Sequence, residues 1–187
     1  MVIVKRRSAV ESWGVYHASL PSAAYYLILN STAAQDGTGG TIWNSTAPSS
    51  TVLTLGTSTY SNANTSTYVA YCFAEVAGYS KFGSYTGNGS ADGPFVYLGF
   101  RPRFLLLKVS STTGDWVIYD TSRNTYNVMD LYLYPDSSAA EGGSGTPRVD
   151  VLSNGFKLRN SGQDNTSGAT YIYAAFAENP LKFSLGR

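Results

Sequence analysis

Residues 170–178 read TYIYAAFAE, and residues 67–75 read TYVAYCFAE. Five of the nine positions are identical, and Val69 against Ile172 keeps a β-branched side chain. The spacing is 103 residues, and the same offset works elsewhere. It sets DWVIYD (115–120) over SWGVYH (12–17) and LLLKVSS (105–111) over VIVKRRS (2–8). It also sets Leu158 over Leu55 and Asn165 over Asn62. NSTAAQDG (30–37) matches DSSAAEGG (136–143) at an offset of 106, which is a three-residue loop insertion given back before the last strand. Self-similarity at a fixed period is read before any element, because missing it misreads the fold. The chain therefore reads as two copies of one β unit, residues 1–80 and 81–187.

Each copy is rich in short aromatic and β-branched runs bounded by Gly, Pro, Asn and Ser, which is the signature of strands and turns. Aromatics make up 14% of the 187 residues and charged residues only 13%. Helical surfaces are ordinarily carried by Glu, Lys and Arg, so this balance favours sheets with polar, uncharged faces. In the first copy, strands are expected at 2–5, 13–16, 25–30, 41–43, 50–55 and 68–75. In the second, they are expected at 95–100, 104–109, 116–119, 130–134, 148–152, 155–159 and 170–177. Residues 83–95, GSYTGNGSADGPF, read as a glycine-rich turn region, and SSAAE (137–141) as one helical turn at most. Ser153-Asn154-Gly155 reads as a hairpin turn of type I′. The expected fold class is all-β: two tandem homologous β-sandwich units of jelly-roll or lectin-like kind. Residues 68–75 are apolar on both faces, as in a strand central to a sandwich, which makes Cys72, the single cysteine, a buried structural thiol.

The second copy is preceded by GPFVYLGFRPRF (93–104), for which the first has no room before Val2. The first unit is thus expected to be incomplete at its N-terminus, and the chain to be the tail end of a longer polypeptide. Lys81-Phe82 recurs as Lys182-Phe183, so the second unit starts near Gly83.

A net charge of +1 gives no electrostatic reason to expect nucleic acid. No window approaches a membrane span. His17, the only histidine, is replaced by Asp120 in the second copy and reads as a strand-end residue making a local hydrogen bond, not as the base of a Ser/His pair with Ser19. Glu75 and Glu178 invite a paired-carboxylate reading, but they fall one per copy, so a repeated ion pair closing the strand end is preferred. Calcium could draw on Asp164, Asn165 and Asn160, or on Asp92 and Asn88; turn chemistry is the simpler reading, and no cofactor is expected. The remaining signal is aromatic. Tyr60, Tyr85, Tyr126, Tyr132 and Tyr134, with Asn88, are the candidate contacts for a glycan or a protein partner, since an outward tyrosine offers broad apolar area with a polar tip.

The runs KFGSYTGNGSADGPFVYLGFRPRFLLLK (81–108), DWVIYDTSRNTYN (115–127), LSNGFKLR (152–159) and TYIYAAFAENP (170–180) resemble a domain of tailed-phage virion proteins of tail-fibre type, common in marine and environmental phages. The first copy joins the resemblance more weakly through VIVKRRS, WGVYHASL and YVAYCFAE. It implies a lectin-like β-sandwich, a place on the virion, homo-oligomers, other virion proteins as partners and contact with host surface glycans. It implies no catalytic residues, so a non-enzymatic structural role is expected, with a carbohydrate-binding adhesin as the alternative.

Overall fold

The computed structural model describes residues 1–38, 40–143 and 145–179. It is all-β, with several antiparallel sheets in a sandwich-like arrangement. The strands are β1 (Val2–Arg6), β2 (Trp13–Tyr16), β3 (Leu27–Ile28), β4 (Tyr68–Cys72), β5 (Ser80–Thr86), β6 (Phe95–Tyr97), β7 (Pro102–Val109), β8 (Trp116–Asp120), β9 (Val149–Leu152), β10 (Gly155–Leu158) and β11 (Thr170–Ala177). They form a first sheet in the order β3-β2-β1-β4, a second in the order β5-β11-β7-β8 and a third in the order β6-β10-β9.

The second sheet is the middle layer. Side chains alternate across a strand, so Leu105, Leu107 and Val109 of β7 pack with Val149, Val151, Phe156 and Leu158 of the third sheet. Leu106, from the opposite face, packs with Ile3, Val15 and Leu27 of the first. The outer face of the first sheet, Val2, Val4 and Tyr16, closes on Ile42 and Trp43 from the loops. Lys108 is buried on the inner face, where its ammonium donates to the carbonyls of Thr32 and Gly114.

The cross-strand registers recur at one offset. β1 pairs with β2 and β4 as β7 pairs with β8 and β11: Val2↔Tyr16 becomes Leu105↔Tyr119, Lys5↔Trp13 becomes Lys108↔Trp116, and Ile3↔Tyr71 becomes Leu106↔Ala174. Every pair of β1 has its counterpart 103 residues on. The 106-residue offset holds where the insertion requires it, since Val15↔Leu27 and Tyr26↔Asp36 become Ile118↔Leu133 and Tyr132↔Gly142. Loop bonds repeat too. Tyr68 Oη accepts from Ala63 N at 2.9 Å, and Tyr171 Oη from Thr166 N at 3.0 Å.

Several expectations are corrected. The 25–30 strand shrinks to Leu27–Ile28, and residues 41–43 and 50–55 form turns and irregular chain. Residues 130–134 contribute isolated bridges only, and residues 137–141 form no helical turn. Ser80–Thr86, read as the edge of a turn region, is a seven-residue strand on β11. Among the described residues β4 is not central but an edge strand, with Ala70, Tyr71 and Cys72 exposed, so the thiol is at the surface. The 153–155 hairpin forms, but its two central residues are Ser153 and Asn154, neither at positive φ, so the turn is not of type I′. Gly155 sits within the ladder, where a Cβ would collide with the Val96 carbonyl oxygen. Lys182-Phe183 lies outside the described residues.

Candidate functional site

Asp164 lies in the loop after β10, with 2% of its surface exposed, and a buried carboxylate requires partners. Its Oδ2 accepts from Tyr119 Oη of β8 at 2.7 Å, from Arg148 Nη1 at 3.0 Å and from Asn160 Nδ2 at 3.4 Å. Burial, the largest single influence, would lower the Arg148 pKa, but the charge and hydrogen bond of Asp164 together with Tyr119 and Tyr132 outweigh it and hold the guanidinium above its ordinary value. Tyr119 is pushed well above the usual phenol range by burial and by the same carboxylate.

Arg148 links this buried anchor to the surface. Its guanidinium carbon stands 4.3 Å from the Tyr132 ring centre, Nη2 donates to Tyr132 Oη at 3.0 Å, and Nη1 donates to Gln163 Oε1 at 2.8 Å. A cation over a ring face is attracted by the ring's quadrupole. Gln163 then donates to Tyr134 Oη at 3.0 Å and to Asp115 Oδ2 at 3.1 Å. Tyr132 and Tyr134 meet edge to face with centroids 5.1 Å apart. Burial and the neighbouring Tyr132 hydroxyl raise the Tyr134 pKa to about 12, so it stays a neutral donor at ordinary pH. Beside them lies a depression of about 200 Å³ lined by Arg148, Asn160, Ser161, Gly162 and Gln163, with Thr146. A cation, neutral amides and phenols on fixed supports make a surface suited to hydroxyl-rich or carboxylate-bearing ligands.

Of the six candidate contacts, the structure brings only Tyr132 and Tyr134 together. Tyr126 is isolated and 85% exposed. Tyr60 is half-buried against Tyr26. Tyr85, expected to point outward, is core: it stacks on Tyr171 at 5.0 Å and donates to the Asp164 carbonyl at 2.7 Å. Asn88 organises its own loop, exchanging bonds with the buried Asn165. Among the described residues no three His, Cys, Asp or Glu side chains converge as metal ligands.

His17 is buried, with Nδ1 accepting from the Ser19 main-chain N–H at 3.1 Å and Nε2 at 3.0 Å from the Tyr173 carbonyl, so it carries its proton on Nε2. The Ser19 hydroxyl takes no part in that pairing. Glu178 pairs with Arg101 at 2.9 Å.

A larger groove, about 460 Å³, lies between the end of β4 and residues 48–53, walled by Val2, Tyr16, Pro48, Leu53 and Phe73. The residues 103 positions later receive the segment between β6 and β7: Arg101 Nη1 donates to the Val151 carbonyl, Leu98 N to that of Asn154, and Phe100 is buried.

Arg148, Gln163 and Asp164 escape a sequence reading as one cluster, because loops of unrelated spacing bring them together. The available signal was Asp164-Asn165 beside Asn160, which points to a ligand set and not to an ion pair. Residues 1–180 match the family described as Domain of unknown function (DUF7483), and the chain belongs to it. No curated protein and no solved structure matches the chain.

Proposed function

We propose that this member of the family is a non-enzymatic structural module of a tailed-phage particle, of tail-fibre or virion-surface type, built from two tandem homologous β-sandwich units of lectin-like kind. The observation that carries the doubling is the cross-strand register: every pair of β1 with its neighbours recurs 103 residues later. A chance likeness in composition does not reproduce hydrogen-bonded partners residue by residue. The phage assignment rests on the sequence resemblance. The body also suits a scaffold, being low in charge and buried on both faces of its middle sheet. On this reading the chain sits on the extracellular particle and associates with other virion proteins and with copies of itself. Peptide mass spectrometry on purified particles of a phage carrying the gene tests it. The chain is expected at stoichiometric, multi-copy abundance, and its absence from washed particles overturns the assignment.

A second reading, a carbohydrate-binding adhesin, is favoured by one feature: Tyr132 and Tyr134 are held by Arg148 and Gln163 beside a polar depression. Aromatic faces with fixed amides suit sugar rings. A glycan array probed with the whole chain and with Tyr134→Ala separates the two readings. Sugar binding lost in the variant supports the adhesin, and identical blank arrays leave the scaffold alone.

A further inference from the structure

The groove beside the end of β4 has a filled counterpart in the other half. Its lining residues Val2, Leu53, Cys72 and Phe73 correspond, 103 positions on, to Leu105, Phe156, Ala175 and Phe176. Bonding repeats along with spacing. Ser49 N donates to Val52 O at 2.9 Å, where Leu152 and Gly155 close the β9–β10 hairpin. Gly56 N donates to Ile42 O as Arg159 N donates to Arg148 O. In the second half, residues 95–101 lie along this hairpin. β6 pairs with β10 through Val96↔Phe156 and Tyr97↔Gly155, and Val96, Leu98 and Phe100 are all buried. Alternate side chains of one extended segment thus supply three apolar groups to the core.

That segment is held by polar contacts with counterparts in the first half. Leu98 N and Gly99 N donate to Asn154 O, Arg101 Nη1 donates to Val151 O, and Glu178 N donates to Arg101 O. Arg101 Nε also pairs with the Glu178 carboxylate at 2.9 Å. The corresponding groups are Thr51 O, Pro48 O, Glu75 N and the Glu75 carboxylate. Among the described residues, none of these four has a hydrogen bond or an ion pair. Exposure follows the same division. Ala175 is 0% exposed, whereas Cys72 lies open at the groove. The first half therefore presents two free acceptors, a free donor and an unpaired carboxylate around an apolar groove of about 460 Å³.

We propose that this groove receives an extended strand of another polypeptide, with apolar side chains at three alternate positions and an arginine directly after the last. The strand adds along residues 52–54 by main-chain hydrogen bonding, and its alternate side chains supply specificity. Its apolar groups cover Val2, Leu53 and Phe73, and its arginine reaches Pro48 O and the Glu75 carboxylate. Charge complementarity fixes the direction of entry, because a guanidinium satisfies an acceptor and a carboxylate together. This assignment rests on the two-unit part of the functional reading and is independent of where the chain resides in a virus.

Alkylation of Cys72 in the full chain reads occupancy, since this thiol lines the groove and is the only one in the sequence. The probe is a synthetic peptide, FVYLGFRP, copied from residues 95–102. At saturation it is expected to slow reaction with iodoacetamide at least about ten-fold, because a covered thiol is inert. A peptide carrying Phe100→Asp is expected to give no protection. One carrying Arg101→Glu is expected to bind at least about ten-fold more weakly, and to recover on a Glu75→Arg chain. No saturable protection from the parent peptide, or equal protection from Phe100→Asp, overturns the proposal and leaves the repeated registers untouched. Protection without peptide that grows as dimers form overturns it in favour of a second copy. Protection only when the segment is fused ahead of Met1 overturns it in favour of a covalently joined strand. Exclusion of the chain from virus particles would sink the phage assignment and leave peptide binding standing.

Discussion

Tyr119 donates its hydroxyl to Asp164 at 2.7 Å while Arg148 reaches the same carboxylate oxygen at 3.0 Å, and the carboxylate is 2% exposed. The pair is therefore judged as a buried ion pair, whose desolvation is recovered only while both partners stand. Tyr119 comes from the middle sheet and Arg148 from the start of β9, so the carboxylate joins two layers to the loop that carries it.

Asp164→Ala leaves the Arg148 guanidinium, 15% exposed, without its counter-charge. The expected loss of unfolding free energy is about 3–5 kcal/mol, read from urea melts. Asp164→Leu combined with Arg148→Met is expected to recover most of it, since no buried charge is then stranded. A double variant as unstable as the single would contradict this account.

His17 gives the fold an acid limit. Burial lowers its pKa from 6.5 to about 4, outweighing the Tyr173 carbonyl, which raises it. A folded pKa below the unfolded one means that the unfolded chain binds more protons between those values. Stability therefore falls as pH drops from 6.5 towards 4, by up to roughly 3 kcal/mol from this residue. His17→Asn is expected to flatten that part of the stability–pH curve, and an unchanged slope would exclude His17 as its source.

Tyr171→Phe and Tyr68→Phe remove matching hydroxyls. Tyr171 Oη donates to Gln163 O and Tyr68 Oη to Thr59 O, each at 2.8 Å, and each accepts a loop N–H. Both changes are expected to destabilise by about 1–2 kcal/mol, Tyr171 more because its stranded loop groups are better buried. Calorimetry of the two variants would show the ranking, and a costlier Tyr68→Phe would reverse it.

Trp116 and Trp13 share a register position but not an environment. Trp116 is 1% exposed and its Nε1 donates to Ile28 O at 2.9 Å, whereas Trp13 is half-buried and stacks on the exposed Tyr71. Trp116→Phe is expected to cost about 2–3 kcal/mol and Trp13→Phe under about 1 kcal/mol in the same denaturation assay. Equal losses would mean that the two halves bury this position alike.

The 103-residue spacing was legible because strand identity and register both descend from side-chain alternation, which the chain displays locally. Thr170–Ala177 and Trp13–Tyr16 were therefore found at their observed bounds. β5 was not. Ser80–Thr86 carries Gly83, two serines and a threonine, and only its distant partner β11 makes it a strand. There a Cβ at position 83 would stand 2.5 Å from the Tyr173 hydroxyl, so the glycine that resembled turn chemistry is a packing requirement. Cys72 misled for a related reason. An apolar sequence on both faces says that a strand can be buried, while its place in the sheet order decides whether it is. Of the candidate site, Tyr132 and Tyr134 were visible as loop-flanking aromatics; the arginine and carboxylate behind them were set by loop paths that no period encodes.

β5 follows β4 across the boundary between the two halves and is knitted to β11 by seven cross-strand pairs. That stitch works like a clasp on the hinge side of a locket: neither leaf can swing free until the seam is torn along its whole length. Heat or tension should consequently dissolve the body in a single step, with no stage at which one leaf survives alone.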